Sequence, residues 1–208
     1  MKKFSFIVSY ILAFLVFGTF ISVNAQQSIP SKQQQIEAAI SPAPRGMRDD
    51  ATVYGYNDKG QLITLREGSN ELICVADDPG RSKFHAACYH KDLEPFMKRG
   101  RELRAQGLSR TEVDSIRQQE IRSGELSMPR KPMSLYSLSG PEGAFNYETG
   151  EVVDAEPLYV IYIPFATRET TGLSTSPASK GAPWIMEPGK PWAHIMVIPG
   201  TNLGKGNN

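Results

Sequence analysis

The chain has 208 residues, 23 of them basic and 22 acidic, for a formal charge of +1. Near neutrality excludes a global electrostatic drive towards nucleic acid or an anionic membrane. Removing the leader described next takes away Lys2 and Lys3 and no acidic residue. The remaining 183 residues then carry a formal charge of −1, one domain's worth of chain that can bury a core without depending on disulfides.

Residues 1–25 have the three-part pattern of a secretory signal peptide. Lys2 and Lys3 supply the positive start, residues 4–23 are uncharged and apolar, and Val23-Asn24-Ala25 precedes the polar Gln26-Gln27. No cysteine stands just after the apolar run, which argues against a lipoprotein anchor. The run is nearly long enough to span a bilayer, so an uncleaved anchor is the competing expectation. Either way the rest of the chain lies outside the cytoplasm, in the periplasm or extracellular medium. Residues 26–50 are rich in Gln, Ser and Pro and read as a flexible tether with one short helical turn at Lys32–Ile40. A single globular domain is expected over 51–200, with a disordered tail at 201–208.

Residues 51–90 read as four successive antiparallel strands at 52–56, 61–66, 72–76 and 84–89, separated by turns at Asn57-Asp58-Lys59-Gly60, Glu67-Gly68-Ser69-Asn70 and Asp77-Asp78-Pro79-Gly80. From Leu93 the period changes to helical, with Phe96, Met97, Gly100 and Leu103 on one stripe. Asp92 is the expected N-cap, and Pro95 lies in the tolerant first turn. Gly107 stops this helix, and Ser109-x-x-Glu112 is a capping box for a second helix ending at Gly124. Strands return at 133–139, 158–163, 184–186 and 193–198, with a polar loop to residue 155 and a long Ser/Thr/Gly/Pro loop at 166–183. The strand at 158–163 is apolar on both faces and is expected to be central, with helices over one side. The fold class is α+β: a mainly antiparallel sheet of about six to seven strands, with a helical hairpin between the N-terminal meander and the C-terminal strands.

Cys74, His85, Cys88 and His90 crowd into 17 residues. An oxidising compartment favours a Cys74–Cys88 disulfide, and facing those two residues across a hairpin centres its turn near Arg81. The alternative is a metal-binding protein or metal-dependent enzyme, with zinc or copper held by His85, Cys88, His90 and possibly His194. Strand alternation opposes it, because His85 and Cys88 point to opposite faces. No other cofactor is expected. Pro183-Trp184 and Pro191-Trp192 flank the turn Glu187-Pro188-Gly189-Lys190. Burial of both tryptophans at the end of the sheet is the favoured reading; if exposed, Trp184, Trp192 and Glu187 form a candidate binding surface.

Residues 103–113 resemble a DNA-binding helix-turn-helix for about one turn's worth of signature. The export signal and the ordinary Gly and Ser caps make a packing hairpin the preferred reading. No nucleophile elbow, P-loop, dinucleotide fingerprint, His-Glu-x-x-His or EF-hand loop occurs. The expectation is an exported, non-catalytic binding or interaction domain. Its partner is an unidentified protein or small molecule and not nucleic acid, with membrane contact only if the leader is retained. A hydrolase using Glu187, His194 or an acidic pair has residue types in its favour but no geometry.

Overall fold

The computed structural model of the chain describes residues 29–199. The leader expected at 1–25 and the tail expected at 201–208 lie outside the described residues. The first described element is helix α1 (Lys32–Ile40), opened by a capping box in which Ser31 and Gln34 satisfy each other's backbone amides. It is an integral part of the domain. Ile36, Ala38, Ala39 and Ala43 are buried, and Ile36, Ala39 and Ala43 pack in one cluster with Val53, Leu72, Cys74 and Cys88. The expectation of a flexible tether over 26–50 is therefore corrected for residues 31–43. Their helical face is built from small alanines, whose apolar signal is weak, and it becomes buried only because the sheet lies beneath it.

Strands β1 (Thr52–Tyr56), β2 (Leu62–Arg66), β3 (Leu72–Val75) and β4 (Phe84–His90) follow. They do not form a simple meander. β1 pairs antiparallel with β2 but parallel with β3, and β3 pairs antiparallel with β4. The chain leaves β2, passes the start of β1 and re-enters on its far side. Gly68 makes that passage possible, since a Cβ there would lie 2.3 Å from backbone atoms of Asp50, Ala51 and Thr52. Ser69 and Asn70 both donate their backbone amides to the Asp50 carbonyl and fix the crossing.

After β4 a 3₁₀ turn at Lys91–Leu93 leads into α2 (Glu94–Ala105). The α-helix therefore starts later than an Asp92 cap would place it, and the Asp92 amide instead donates to Nδ1 of His90. Helix α2 ends at Gly107 (φ 85°), with Gly107 and Leu108 donating to the carbonyls of Arg104 and Leu103. The capping box of Ser109 and Glu112 opens α3 (Arg110–Ser123), and Gly124 closes it in the left-handed conformation. The expected helical hairpin is present between β4 and β5.

The remaining strands are β5 (Met133–Gly140), β6 (Phe145–Asn146), β7 (Glu151–Val152), β8 (Glu156–Tyr162), β9 (Trp184–Met186) and β10 (His194–Val197). A four-residue helix, α4 (Arg168–Thr171), interrupts the long loop before β9. Eight strands form one sheet in the order β2-β1-β3-β4-β5-β8-β10-β9, each at one of the eight segments where the sequence places a strand. β6 and β7 make a small separate hairpin inside what reads as a polar loop, anchored by Phe145 stacked on Phe84 with centroids 5.6 Å apart.

Alternation along β3 and β4 separates two cores. Leu72, Cys74 and Cys88 face α1, whereas Ile73 and Tyr89 face the helical hairpin and pack with Leu93 and Met133. Helices thus cover opposite faces of the sheet at its N-terminal half. β8 lies inside the sheet between β5 and β10, as expected, with the helical hairpin over one side: Val160 is buried and Tyr162 packs on Phe96 of α2, while Ile161 on the other face is exposed. Among the described residues no helix is long and apolar enough to cross a membrane.

Candidate functional site

The cysteine pair forms the disulfide. Cys74 and Cys88 are directly opposite in the β3–β4 register, both are fully buried, and they are bonded to each other. The Cys88 sulfur lies 3.2 Å from the Ala39 carbonyl, so the bridge is seated under α1. The turn between the strands has Asp78 at its start, accepting from the backbone amides of Gly80 and Arg81.

This bond removes the metal set read from the sequence. Cys88 has no thiolate to offer, and β4 sends His85 to the face opposite Cys88 and His90. His85 Nδ1 is 2.9 Å from the Ser139 hydroxyl on β5. His90 caps the 3₁₀ turn and stands within 4 Å of Glu71 and Asp92. His194 belongs to β10, with Nδ1 2.8 Å from the Trp192 carbonyl and its ring 5.3 Å from that of Tyr162. No cluster of three or more metal-donor side chains occurs among the described residues.

Of the two readings of the tryptophans the buried one holds, which corrects the candidate surface at Trp184, Trp192 and Glu187. Trp184 and Trp192 are both buried, and Trp192 stacks on Phe96 of α2 with centroids 5.8 Å apart. Glu187 holds a positive φ of 53° and accepts from the Lys190 amide, which makes it part of the Pro188-Gly189 turn. Trp192 closes one end of the helical hairpin with Phe96 and Leu126, and neither tryptophan offers an exposed aromatic platform. The hairpin itself contains a feature without a sequence signal. Arg117 of α3 is buried, stacks 3.8 Å above the Phe96 ring, and donates to Asp114 and to the Phe96 carbonyl. Arg99 is paired with Glu120 and Glu102, so much of the basic character of the hairpin is neutralised within it.

Two concavities stand out among the described residues. The smaller, about 230 Å³, lies between Asp77, Phe84, Phe145 and Tyr147. Burial pushes the Asp77 carboxyl up, opposed by the hydrogen bond it accepts from the His85 backbone amide. Asp77 therefore holds the backbone of His85 and not its imidazole. The Ser139–His85 contact has no carboxylate bonded to the second ring nitrogen, and a serine-type triad is not assembled.

The larger concavity is an open groove of about 470 Å³ between the edge strand β2 and helix α2. Tyr54, Leu62, Ile63 and Thr64 form its strand wall, and Glu94, Lys98, Arg101, Glu102 and Ala105 form its helix wall. The polar groups at the helix wall are held by a closed network. Tyr89 donates to Glu94 at 2.5 Å, Arg101 donates to the Tyr89 oxygen at 2.9 Å, and Arg101 also donates to Glu94 at 2.7 Å. Burial opposes the Arg101 charge, but Tyr89 and Glu94 outweigh it and hold the guanidinium above its ordinary value. Burial pushes the Tyr54 hydroxyl up, with Glu94 adding to the effect. Sequence reasoning missed this groove. Its one available signal is the uncharged, proline-free run Leu62-Ile63-Thr64-Leu65, an unusual choice for a strand at a sheet edge.

Comparison with known proteins returns no matching family profile, no matching curated protein and no matching solved structure.

Proposed function

We propose that the chain is an exported, disulfide-stabilised binding domain that takes its ligand in the groove between β2 and α2. One observation carries this reading: an apolar strand wall faces a helix wall on which Glu94 and Arg101 are already bonded to each other and to Tyr89. Such a site offers contact area and a fixed charge pattern in place of a poised nucleophile or base. The leader-like residues 1–25 support export, and the buried Cys74–Cys88 bridge is what an oxidising compartment provides.

The reading is tested on the full chain expressed with its leader. Cell fractionation followed by mass measurement with thiol alkylation should find an exported form shortened by the leader and two hydrogens lighter than the reduced chain. Titration of the labelled, exported protein with a library of amphiphilic fragments should shift the amide resonances of residues 62–64 and 98–105. Ala105→Trp, which fills the groove, should abolish those shifts. Alkylatable thiols in the exported protein, or fragment shifts that map elsewhere and ignore Ala105→Trp, would overturn the proposal.

A further inference from the structure

The two edges of the main sheet are finished differently. At β9 the long loop returns alongside the strand, and the Ile185 amide donates to the Ser174 carbonyl at 2.9 Å. At β2 no strand pairs with the outer side among the described residues. Proteins ordinarily blunt such an edge with lysine, proline or a cover. Here the exposed edge residues are Ile63, 41% accessible, and Thr64, both good strand formers and both uncharged. Helix α2 supplies a second wall over the sheet face beside that edge, so a strand added to β2 would have one face turned towards the groove.

Resting on the reading that the groove is the binding site, we infer that its ligand is an extended polypeptide segment that adds to β2 as a further strand. The main-chain bonds would come from the outer N–H and C=O groups of β2, and alternate ligand side chains would turn into the groove towards Leu62 and Ala105. Charge selects the ligand's character. Arg101 and Glu94 are bonded to each other, and Glu102 is paired with Arg99, whereas Lys98 enters none of the ion pairs among the described residues. A carboxylate on the ligand, from an acidic side chain or the chain end, would complement Lys98. A second copy of this chain fits less well. It would bring another α2, with four basic and two acidic side chains, against the first.

The test uses exported full-length protein and a displayed library of random linear peptides. Selected peptides should alternate apolar residues and carry an acidic group. Ala105→Trp should abolish their binding. N-methylation of alternate ligand amides should weaken binding by about five- to tenfold each, and methylation of the intervening amides should not. Lys98→Glu should shift the selected charge from acidic to basic, an outcome that a merely structural role for Lys98 would not produce. If peptides bind and depend on Ala105 but tolerate methylation throughout, the groove stands and strand addition is overturned. Strand addition is likewise overturned if fragments map to residues 62–64 but no peptide is selected. A concentration-dependent dimer abolished by Ile63→Lys would overturn the inference in favour of a second copy. If neither fragments nor peptides touch residues 62–64, the inference and the groove reading fall together.

Discussion

Replacing Gln35 with alanine tests whether α1 belongs to the folded domain. The Gln35 side chain is only 4% accessible and behaves like a short piece of strand. Its carbonyl oxygen accepts from the Tyr56 amide at 2.7 Å, and its nitrogen donates to the Tyr56 carbonyl at 3.0 Å and the Pro30 carbonyl at 2.8 Å. Three hydrogen bonds at about 1 kcal/mol net each, with backbone groups of Tyr56 left to find other partners, give an expected loss of about 2–4 kcal/mol. For a domain of this size that corresponds to a fall in Tm of about 4–16 °C. The assay is urea and thermal unfolding of the oxidised protein, with Gln33→Ala as control. Gln33 lies on the exposed side of the same helix, where its side chain bonds to Glu37, and its replacement should change stability by less than about 0.5 kcal/mol. If Gln35→Ala also stays within about 0.5 kcal/mol at unchanged m-value, residues 31–43 act as a tether after all and the packing of α1 is refuted.

Three further outcomes are expected. Reducing Cys74–Cys88, which closes a loop with a sequence separation of 14, should cost about 3 kcal/mol in the loop-entropy picture; thermal melts with and without reductant that coincide would contradict it. Arg117→Ala should destabilise by about 2–3 kcal/mol through the lost stacking on Phe96 and Trp192, while Arg117→Met should recover most of that loss because it fills the same space and removes a buried Nε that has no partner; equal losses in urea unfolding would show that charge and not packing matters. Burial lowers the pKa of both His85, where Arg81 adds to the effect, and His194, below the ordinary 6.5. Each folded imidazole therefore resists protonation more than its unfolded counterpart, so this contribution to stability is full above about pH 6.5 and declines as pH falls below it, because the unfolded chain takes up protons first. The decline should be shallower in His85→Gln; an unchanged pH profile in that variant would exclude His85 as a source.

Several features are legible in the sequence because they depend on residues close together in it. The capping box of Ser109 and Glu112, the left-handed stops at Gly107 and Gly124 and the facing of Cys74 with Cys88 each follow from local spacing and elementary backbone geometry. So does the α+β class, since the change of period near Leu93 separates strands from helices. What tertiary structure decided concerns partners far apart in the chain. Gln35 is an ordinary helix residue until Tyr56 is placed beside it, and the glutamine-rich α1 looks like a tether until the sheet covers it. Gly68 reads as a turn residue, but its lack of a side chain is what lets the chain cross β1 and makes β1 and β3 parallel. Burial of Trp192 is the ordinary expectation for a large aromatic, but nothing local to Arg117 predicts its burial, and neither residue's sequence context points to the ring of Phe96 that both stack on. The groove depends on the crossing in the same way. Only the return past β1 leaves Leu62, Ile63 and Thr64 at an edge, and only the packing of α2 turns that edge into a wall.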